Sequence, residues 1–266
     1  MEGQDLQHLK KGTSSALKTT VSFWVRSSET GTYAFRMIDH DNSRQVGLNY
    51  TINSADTWEY KTLTLPGDTS GALGNDNGPS MSLFWWLVAG SDRTSGSLPT
   101  AWEATTTADE AAGLTANIAA TTDSDFYLTG LQFEVGEKAT PFEHRSYGDE
   151  LARCRRYYYQ SRKTGDTYNS CYYGYGITDN RIGAQIRLPV AMRSAPAFTL
   201  VRPSDGATNA AHQFKAVAGS DTTATDVSFS SVSFIDGGEV GCPYIVVNGS
   251  TVSSGYLFHI QALAEL

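Results

Sequence analysis

The sequence has little of what marks several large classes of protein. Charged residues make up 18% of the 266 residues, against roughly 25% in an average soluble chain, which excludes a coiled coil and a charge-rich disordered chain. The most apolar stretch, residues 81–89, is far shorter than the ~18 residues of a membrane-spanning helix. The net charge of −8 is opposite to the basic excess of nucleic-acid-binding proteins. We therefore expect no nucleic-acid partner and no membrane insertion.

Cysteines are few and unsuited to structural cross-links. Cys154, Cys171 and Cys242 are odd in number and show no CxxC spacing, which argues against a disulfide framework and against a zinc site. The N-terminus has no apolar core of a secretory signal. Both features agree with synthesis in a cytoplasm, and we expect no cofactor.

What the sequence does contain is the two-residue alternation of β-strands. Val21, Phe23 and Val25 alternate with polar residues and with Trp24, and the run 33–38 repeats the pattern, placing Arg36 outward. Aromatic residues reach 11%, as suits pleated sheets. Turn-forming residues separate the runs, so the sequence predicts an all-β protein built from sandwiches or barrels. Residues 105–112 interrupt the pattern and fit either one helical turn or an ordered loop.

One short helix is predicted near the middle of the chain. Ser146 is a suitable N-cap with Asp149 three residues later, and Leu151, Cys154 and Tyr158 have the spacing of one helix face. The predicted organisation is a β-sandwich at 1–146, a connecting helix at 147–160 and a second β-sandwich-like domain at 161–266. Basic residues concentrated around the helix fit either a polyanion-binding patch or a solvated face that complements the helix dipole.

Three segments together resemble a known family. They are GQDLQHLKKGTSSALKTTVSFWVRS (3–27), TWEYKTLTLPGDTSGAL (57–73) and YLTGLQFEVGEKATPFEHRSYGDELARCRRYYYQ (127–160). The last resembles a block that recurs in bacteriophage tail-fibre and related virion proteins. In these proteins a carbohydrate-binding-module-like jelly roll ends in a strand, a TPFE turn and a short helix ending in tyrosines. The resemblance covers residues 1–160, and the remainder is more loosely similar to terminal domains that follow that helix.

This resemblance implies a non-catalytic receptor-binding protein in the virion tail fibre, made in the host cytoplasm. It implies attachment to a host-surface glycan, contact with other virion tail proteins, and a homotrimer. Leu151, Cys154 and Tyr158 would then face the trimer axis or a neighbouring domain. Family members usually carry further strands before the first block, so the chain is expected to be a short fibre protein or a C-terminal fragment. The alternatives are a polysaccharide depolymerase tailspike and a purely structural fibre or connector module.

The candidate glycan site follows from the outward-facing aromatic residues. Sugars need flat rings and polar groups around them, which Trp24, Arg36 and Trp86 would supply as a platform edged by Trp102, with Asp92 and Arg93 nearby. The register of residues 83–88 is ambiguous, so Trp85 is the alternative to Trp86. The tryptophans could equally fill a core or a subunit interface. In the C-terminal domain, the candidate exposed aromatic residues are Tyr172, Tyr173 and Tyr175.

Signals for metal binding or catalysis are weak. Asp39 and Asp41 lie in one turn and are candidate calcium ligands, but the glycine of an EF-hand loop is absent and an ordinary turn explains them equally. No GxSxG, HExxH or phosphate-binding loop occurs. Glu134, Glu137 and Glu143 are close in sequence, but nothing indicates the cleft that a glycosidase acid pair needs. We therefore expect that the protein is not an enzyme.

Overall fold

In the computed structural model the chain forms two compact units, one of Met1–His144 and one that begins at Arg145. The structure describes residues 1–161, 172–178, 181–201, 213–216, 225–228, 231–235, 238, 240–248 and 256–264. Cys171 and the side chain of Cys242 lie outside this description.

Seven strands of the N-terminal unit form two antiparallel sheets. They are β1 (Thr19–Ser27), β2 (Gly31–Asp39), β3 (Arg44–Ile52), β4 (Glu59–Leu65), β5 (Met81–Trp86), β6 (Glu103–Ala104) and β7 (Phe126–Val135). The three-stranded sheet has the order β4-β1-β7, and the four-stranded sheet has the order β5-β2-β3-β6. The connections contain α1 (Ser91–Thr94) and the 3-10 helices Gly3–Leu9, Thr107–Asp109 and Ile118–Ala120. The interruption at 105–112 is therefore one helical turn set within a loop.

The two sheets enclose one hydrophobic core. Its centre is formed by the side chains of β1 and β2 that are fully buried at alternate positions: Val21, Phe23, Val25, Tyr33, Phe35 and Met37. Successive side chains of a strand point to opposite faces, so the same strands present Trp24 and Arg36 to the two outer faces. The predicted inward faces of both strands and the all-β fold class are confirmed. The jelly-roll connectivity stays a prediction.

The C-terminal unit begins with α2 (Tyr147–Arg155), which is capped as predicted. The Ser146 hydroxyl accepts a hydrogen bond from the Asp149 backbone N–H at 3.2 Å. The prediction that the helix continues to residue 160 is wrong. The chain leaves the helix after Arg155, and Tyr158–Gln160 forms strand β8, which pairs with Leu263–Gln261 of β16 (Tyr256–Leu263). Consecutive tyrosines favour a strand, and this pairing satisfies their backbone groups.

The remaining described strands share one hydrogen-bonded network with β8 and β16. They are β9 (Tyr172–Thr178), β10 (Arg181–Arg187), β11 (Ala197–Val201), β12 (Gln213–Ala216), β13 (Thr225–Ser228), β14 (Ser231–Ile235) and β15 (Gly241–Asn248). Strand β16 changes partners along its length: Tyr256–Phe258 pair with β9, and His259–Leu263 pair with β11. The described strands establish a β-rich C-terminal unit. That this unit is a second sandwich stays a prediction.

Candidate functional site

The outer face of the three-stranded sheet carries four large aromatic side chains. We call Trp24, Trp58, Tyr60 and Tyr127 the aromatic face; the exposed fraction of each side chain lies between 42% and 47%. Trp24 and Arg26 point outward from β1. Directly paired residues of neighbouring strands lie on the same face of a sheet, so Tyr60, which pairs with Trp24, and Tyr127, which pairs with Arg26, also point outward. The Trp58 ring reaches the same surface beside Tyr127. The sheet thus presents a broad aromatic surface that the chain leaves half uncovered.

Ring contacts arrange the aromatic face as two pairs. The centroids of Trp24 and Tyr60 are 5.4 Å apart, and those of Trp58 and Tyr127 are 6.4 Å apart. The Arg26 guanidinium lies 5.5 Å from the Tyr127 ring centroid and donates to Asp56 at 3.0 Å. Each pair therefore offers apolar ring surface, and the second pair has a charged donor and a charged acceptor beside it.

A glycine in β7 allows this close packing. The pairing register of β1 and β7 shifts between Ser22 and Trp24, as at a β-bulge. Gly130 has a φ of 59°, which glycine adopts at little cost. A Cβ at this position would lie 3.2 Å from Cδ1 of Trp24. Gly130 thus lets the strand pass beside the indole without displacing it.

Glu59 fixes the turn that carries Asp56 and Trp58. Its carboxylate accepts hydrogen bonds from the backbone N–H groups of Asn53 at 2.7 Å and Ser54 at 2.9 Å, and it pairs with Lys61 at 2.6 Å. Partial burial raises the pKa of Glu59, but these donors outweigh it and hold the pKa at about 2. The turn is therefore held by a carboxylate that stays ionised at neutral pH.

The outer face of the four-stranded sheet is built differently. We call Arg36, Phe84, Trp86, Arg93 and Glu110 the arginine cluster. Glu110 pairs with Arg36 at 3.2 Å and also with Arg93. The guanidinium of Arg36 lies 5.9 Å from the Phe84 ring centroid, and that of Arg93 lies 5.4 Å from the Trp86 ring centroid. Charge pairing, rather than bare ring surface, organises this face.

Arg36 lies beneath the long connection between β5 and β7, which contains the short strand β6 and also contributes Arg93 and Glu110 to the cluster. Side chains of β3 hold this connection down: Asn49 donates to the Ala112 carbonyl at 3.1 Å, and Gln45 donates to Glu103 at 3.0 Å. As a result Arg36 is only 4% exposed. The prediction that Arg36 contributes to an open sheet surface is therefore wrong, because the connection covers it.

The predicted platform of Trp24, Arg36 and Trp86 is divided between the two faces. Trp24 belongs to the aromatic face, whereas Arg36, Trp86 and the predicted neighbour Arg93 meet in the arginine cluster. The ambiguous register is resolved, because Trp85 packs edge-on against Phe23 and Phe35 in the core. The structure therefore brings together three of the predicted residues and separates Trp24 from them.

The prediction that Trp102 and Asp92 lie at the edge of the glycan platform is wrong, because neither belongs to the aromatic face or to the arginine cluster. The Trp102 indole packs against the core and donates to the Pro66 carbonyl at 2.8 Å, with the Lys11 ammonium 5.2 Å from its ring centroid. Trp102 is therefore a structural residue, since its only polar side-chain group is already bonded. Asp92 is exposed in the first turn of α1.

The calcium candidates Asp39 and Asp41 have protein partners. Asp39 is fully buried and accepts from the Lys11 ammonium at 2.5 Å and from the backbone N–H of Asp41 at 2.9 Å. The other carboxylate, Asp41, accepts from the Gly74 backbone N–H at 2.8 Å. A lysine thus occupies the position that a cation would take at Asp39. Among the described residues no group of three or more His, Cys, Asp or Glu could hold a metal ion.

The predicted residues of the C-terminal unit divide in a similar way. Tyr173 and Tyr175 are exposed, but Tyr172 stacks on Phe258 and donates to the Arg187 carbonyl at 2.9 Å. Burial, together with its bond to Tyr159, raises the pKa of Tyr172. The prediction that Tyr172 is exposed is therefore wrong.

The predicted single helix face of Leu151, Cys154 and Tyr158 is also wrong. Tyr158 belongs to β8, and Cys154 is an exposed free thiol. No residue of α2 is fully buried, and Leu151 is half-buried. The proposal that Leu151 and Cys154 meet other subunits remains a prediction.

Three members of the aromatic face were missed in the sequence. Trp58, Tyr60 and Tyr127 all lie in segments that carry the family resemblance. Alternation gave a usable signal in 57–65, because Leu63 and Leu65 are core residues, which places Tyr60 and Trp58 on the opposite face. Tyr127 gave no such signal, since the bulge at Gly130 shifts the alternation of β7.

No family model, curated protein or solved structure matches this chain. Within the described ranges, no helix is long and apolar enough to cross a membrane.

Proposed function

We propose that this chain is a non-catalytic glycan-binding protein of the bacteriophage tail-fibre type, which attaches a virion to a host-surface glycan through the aromatic face. The observation that carries the proposal is the set of four half-exposed rings on one sheet face. Contiguous exposed apolar surface is costly in a soluble protein and marks binding sites. The virion setting is drawn from the family resemblance of residues 1–160.

The chemistry of the aromatic face suits a sugar. The C–H groups of a pyranose face can pack on an indole or phenol ring, while Tyr60, Tyr127, Arg26 and Asp56 supply hydrogen-bonding groups for hydroxyls. Small ligands usually occupy concave pockets, whereas this surface is the open side of a sheet. An open aromatic surface favours an extended polysaccharide that lies along it.

Affinity at one face need not be high. If the protein is the homotrimer that the resemblance implies, three copies engage one cell surface at once. Linked sites raise the overall binding strength by 10²–10⁴ without new contacts. Weak stacking sites are therefore compatible with firm attachment.

The acidic residues do not favour hydrolysis. A hydrogen bond from the Thr140 backbone N–H lowers the pKa of Glu134, and the bond from Lys18 lowers the pKa of Glu137. A glycosidase general acid needs the opposite change, a raised pKa. Neither carboxylate therefore has the raised pKa that a general acid needs.

A glycan array followed by calorimetric titration of the array hits tests the proposal. We expect the wild-type chain to bind bacterial surface polysaccharide, and Trp24→Ala and Trp58→Ala each to weaken binding by about 10-fold or more. Tyr147→Ala, which removes an exposed ring outside both outer sheet faces, is the matched control and should bind the same glycan normally. An array without hits would contradict glycan binding, and release of reducing sugar would favour the depolymerase.

A further inference from the structure

Arg36 is a buried guanidinium that the protein only partly satisfies. Its Nε donates to Gln45 at 3.0 Å and its Nη1 pairs with Glu110 at 3.2 Å. Its Nη2 is buried and has no hydrogen-bond partner in the protein. An unpaired buried donor is unfavourable, more so when it is charged, and so requires an explanation such as a bound ligand.

One carboxylate serves two arginines here. Glu110 bridges Arg36 and Arg93, and its side chain is only 9% exposed. Glu103 of β6 accepts a hydrogen bond from Gln45. Burial, and secondarily the charge of Arg93, lowers the pKa of Arg36. The cluster therefore holds two cationic groups and one anionic group.

The surroundings of these arginines are suited to a sugar ring. Phe84 is 40% exposed and the Arg93 side chain is 44% exposed, so the cluster is open to solvent at that side. The Trp86 indole N–H and the Asn49 carbonyl oxygen are further buried polar atoms without partners. A donor, an acceptor, exposed ring surface and two guanidiniums thus meet on one sheet face.

We infer that the arginine cluster is a second binding site, specific for the carboxylate of an acidic sugar, and that Glu110 occupies it in the free protein as an internal substitute. An incoming carboxylate takes the place of the Glu110 side chain, pairs with Arg93, and accepts from both Nη1 and Nη2 of Arg36. The inference takes its ligand class from the proposed function but uses a different face and different residues.

Replacing the Glu110 carboxylate should increase the affinity for an acidic sugar. Glu110→Gln keeps the side-chain shape but removes the competing charge. We therefore expect it to bind methyl glucuronide at least 10-fold more tightly than the wild type does, measured by titration with NMR detection. Methyl glucoside, which lacks the carboxylate, should bind the two proteins equally. Arg93→Gln, at an exposed position, should weaken methyl glucuronide binding at least 10-fold.

Two further controls make the outcome decisive. Acetate should bind Glu110→Gln at least 10-fold more weakly than methyl glucuronide, and equal binding would overturn the assignment to a sugar. Unchanged or weaker methyl glucuronide binding by Glu110→Gln would overturn the inference, and so would unchanged binding by Arg93→Gln. Tyr147→Ala, which removes an exposed ring outside both faces, should leave methyl glucuronide binding unaltered. If Trp24→Ala abolishes polysaccharide binding while Glu110→Gln has no effect, the proposed function stands and the second site fails.

Discussion

The two outer faces of the N-terminal unit carry similar residues, but the chain covers them to different extents. Both lie opposite the inward side chains of a core strand, and both carry large aromatic residues and an arginine. On the four-stranded sheet a long connection covers Arg36, which pairs with Glu110. On the three-stranded sheet Arg26 pairs with an exposed aspartate, and four rings stay half uncovered.

Because of this difference, the covered face contributes to stability and the open face remains available for ligand binding. Arg36 and Glu110 of the arginine cluster are buried, so their charges contribute to the packing of the connection as well as to any ligand. The aromatic face is open, so its rings contribute little to the core and remain accessible. Equal substitutions on the two faces should therefore have unequal effects on folding.

The largest expected effect on stability is a contrast between two neighbouring residues of β1, one inward and one outward. Phe23 is fully buried and Trp24 is 45% exposed. Phe23→Ala should lower the free energy of unfolding by about 3–5 kcal/mol, because it leaves a cavity in the core. Trp24→Ala should lower it by less than about 1 kcal/mol. Urea unfolding of both variants measures the contrast, and equal losses would contradict the assignment of the faces.

A matched pair of arginine substitutions sharpens the comparison of the two faces. Arg36→Met removes one of the two arginines that pair with the buried Glu110 carboxylate. It should lower the free energy of unfolding by about 2–4 kcal/mol, because Glu110 then pairs with Arg93 alone. Arg26→Met removes an exposed ion pair and should leave the unfolding midpoint unchanged within error. If Arg26→Met were the more damaging variant, the contrast between a covered and an open face would be wrong.

A smaller, pH-dependent effect is expected at the edge of the aromatic face. The pKa of Glu59 is about 2 in the folded protein and about 4.3 in an unfolded chain. A lowered folded-state pKa contributes stability above pH 4.3, and this contribution disappears as the pH falls to 2. Glu59→Gln should therefore cost about 1–2 kcal/mol at pH 7, after allowance for solvent screening.

Thermal unfolding of wild type and Glu59→Gln between pH 7 and pH 2 tests this assignment. The difference between the two proteins should narrow below pH 4.3 and vanish near pH 2. A difference that is constant with pH would show that the ionised carboxylate does not hold the turn.

Alternation along the chain predicted the core of the N-terminal unit well. Val21, Phe23 and Val25 identify an inward face because a strand has only two faces and one is buried against the other sheet. Alternation does not predict whether the outward face is later covered. Arg36 was assigned to the surface for this reason, since the connection that covers it lies more than fifty residues further along the chain.

Local patterns also failed where long-range pairing decides the structure. The helical spacing of Leu151, Cys154 and Tyr158 is real in the sequence, but Tyr158 pairs with a strand about one hundred residues away. The two halves of the predicted platform were likewise assigned to one surface, because a sequence does not state which of two sheets each strand joins. The candidate site could therefore be predicted by residue type but not by its grouping.

The five tryptophans report on both faces and on the core in one experiment. Trp24 and Trp58 lie on the aromatic face, Trp86 in the arginine cluster, and Trp85 and Trp102 in the interior. Indole N–H signals from NMR spectra, assigned by single Trp→Phe variants, would be followed during titration with a polysaccharide identified on the array. The account predicts that the signals of Trp24 and Trp58 shift with a common affinity while that of Trp102 stays in place. Stationary Trp24 and Trp58 signals upon saturating polysaccharide would contradict it.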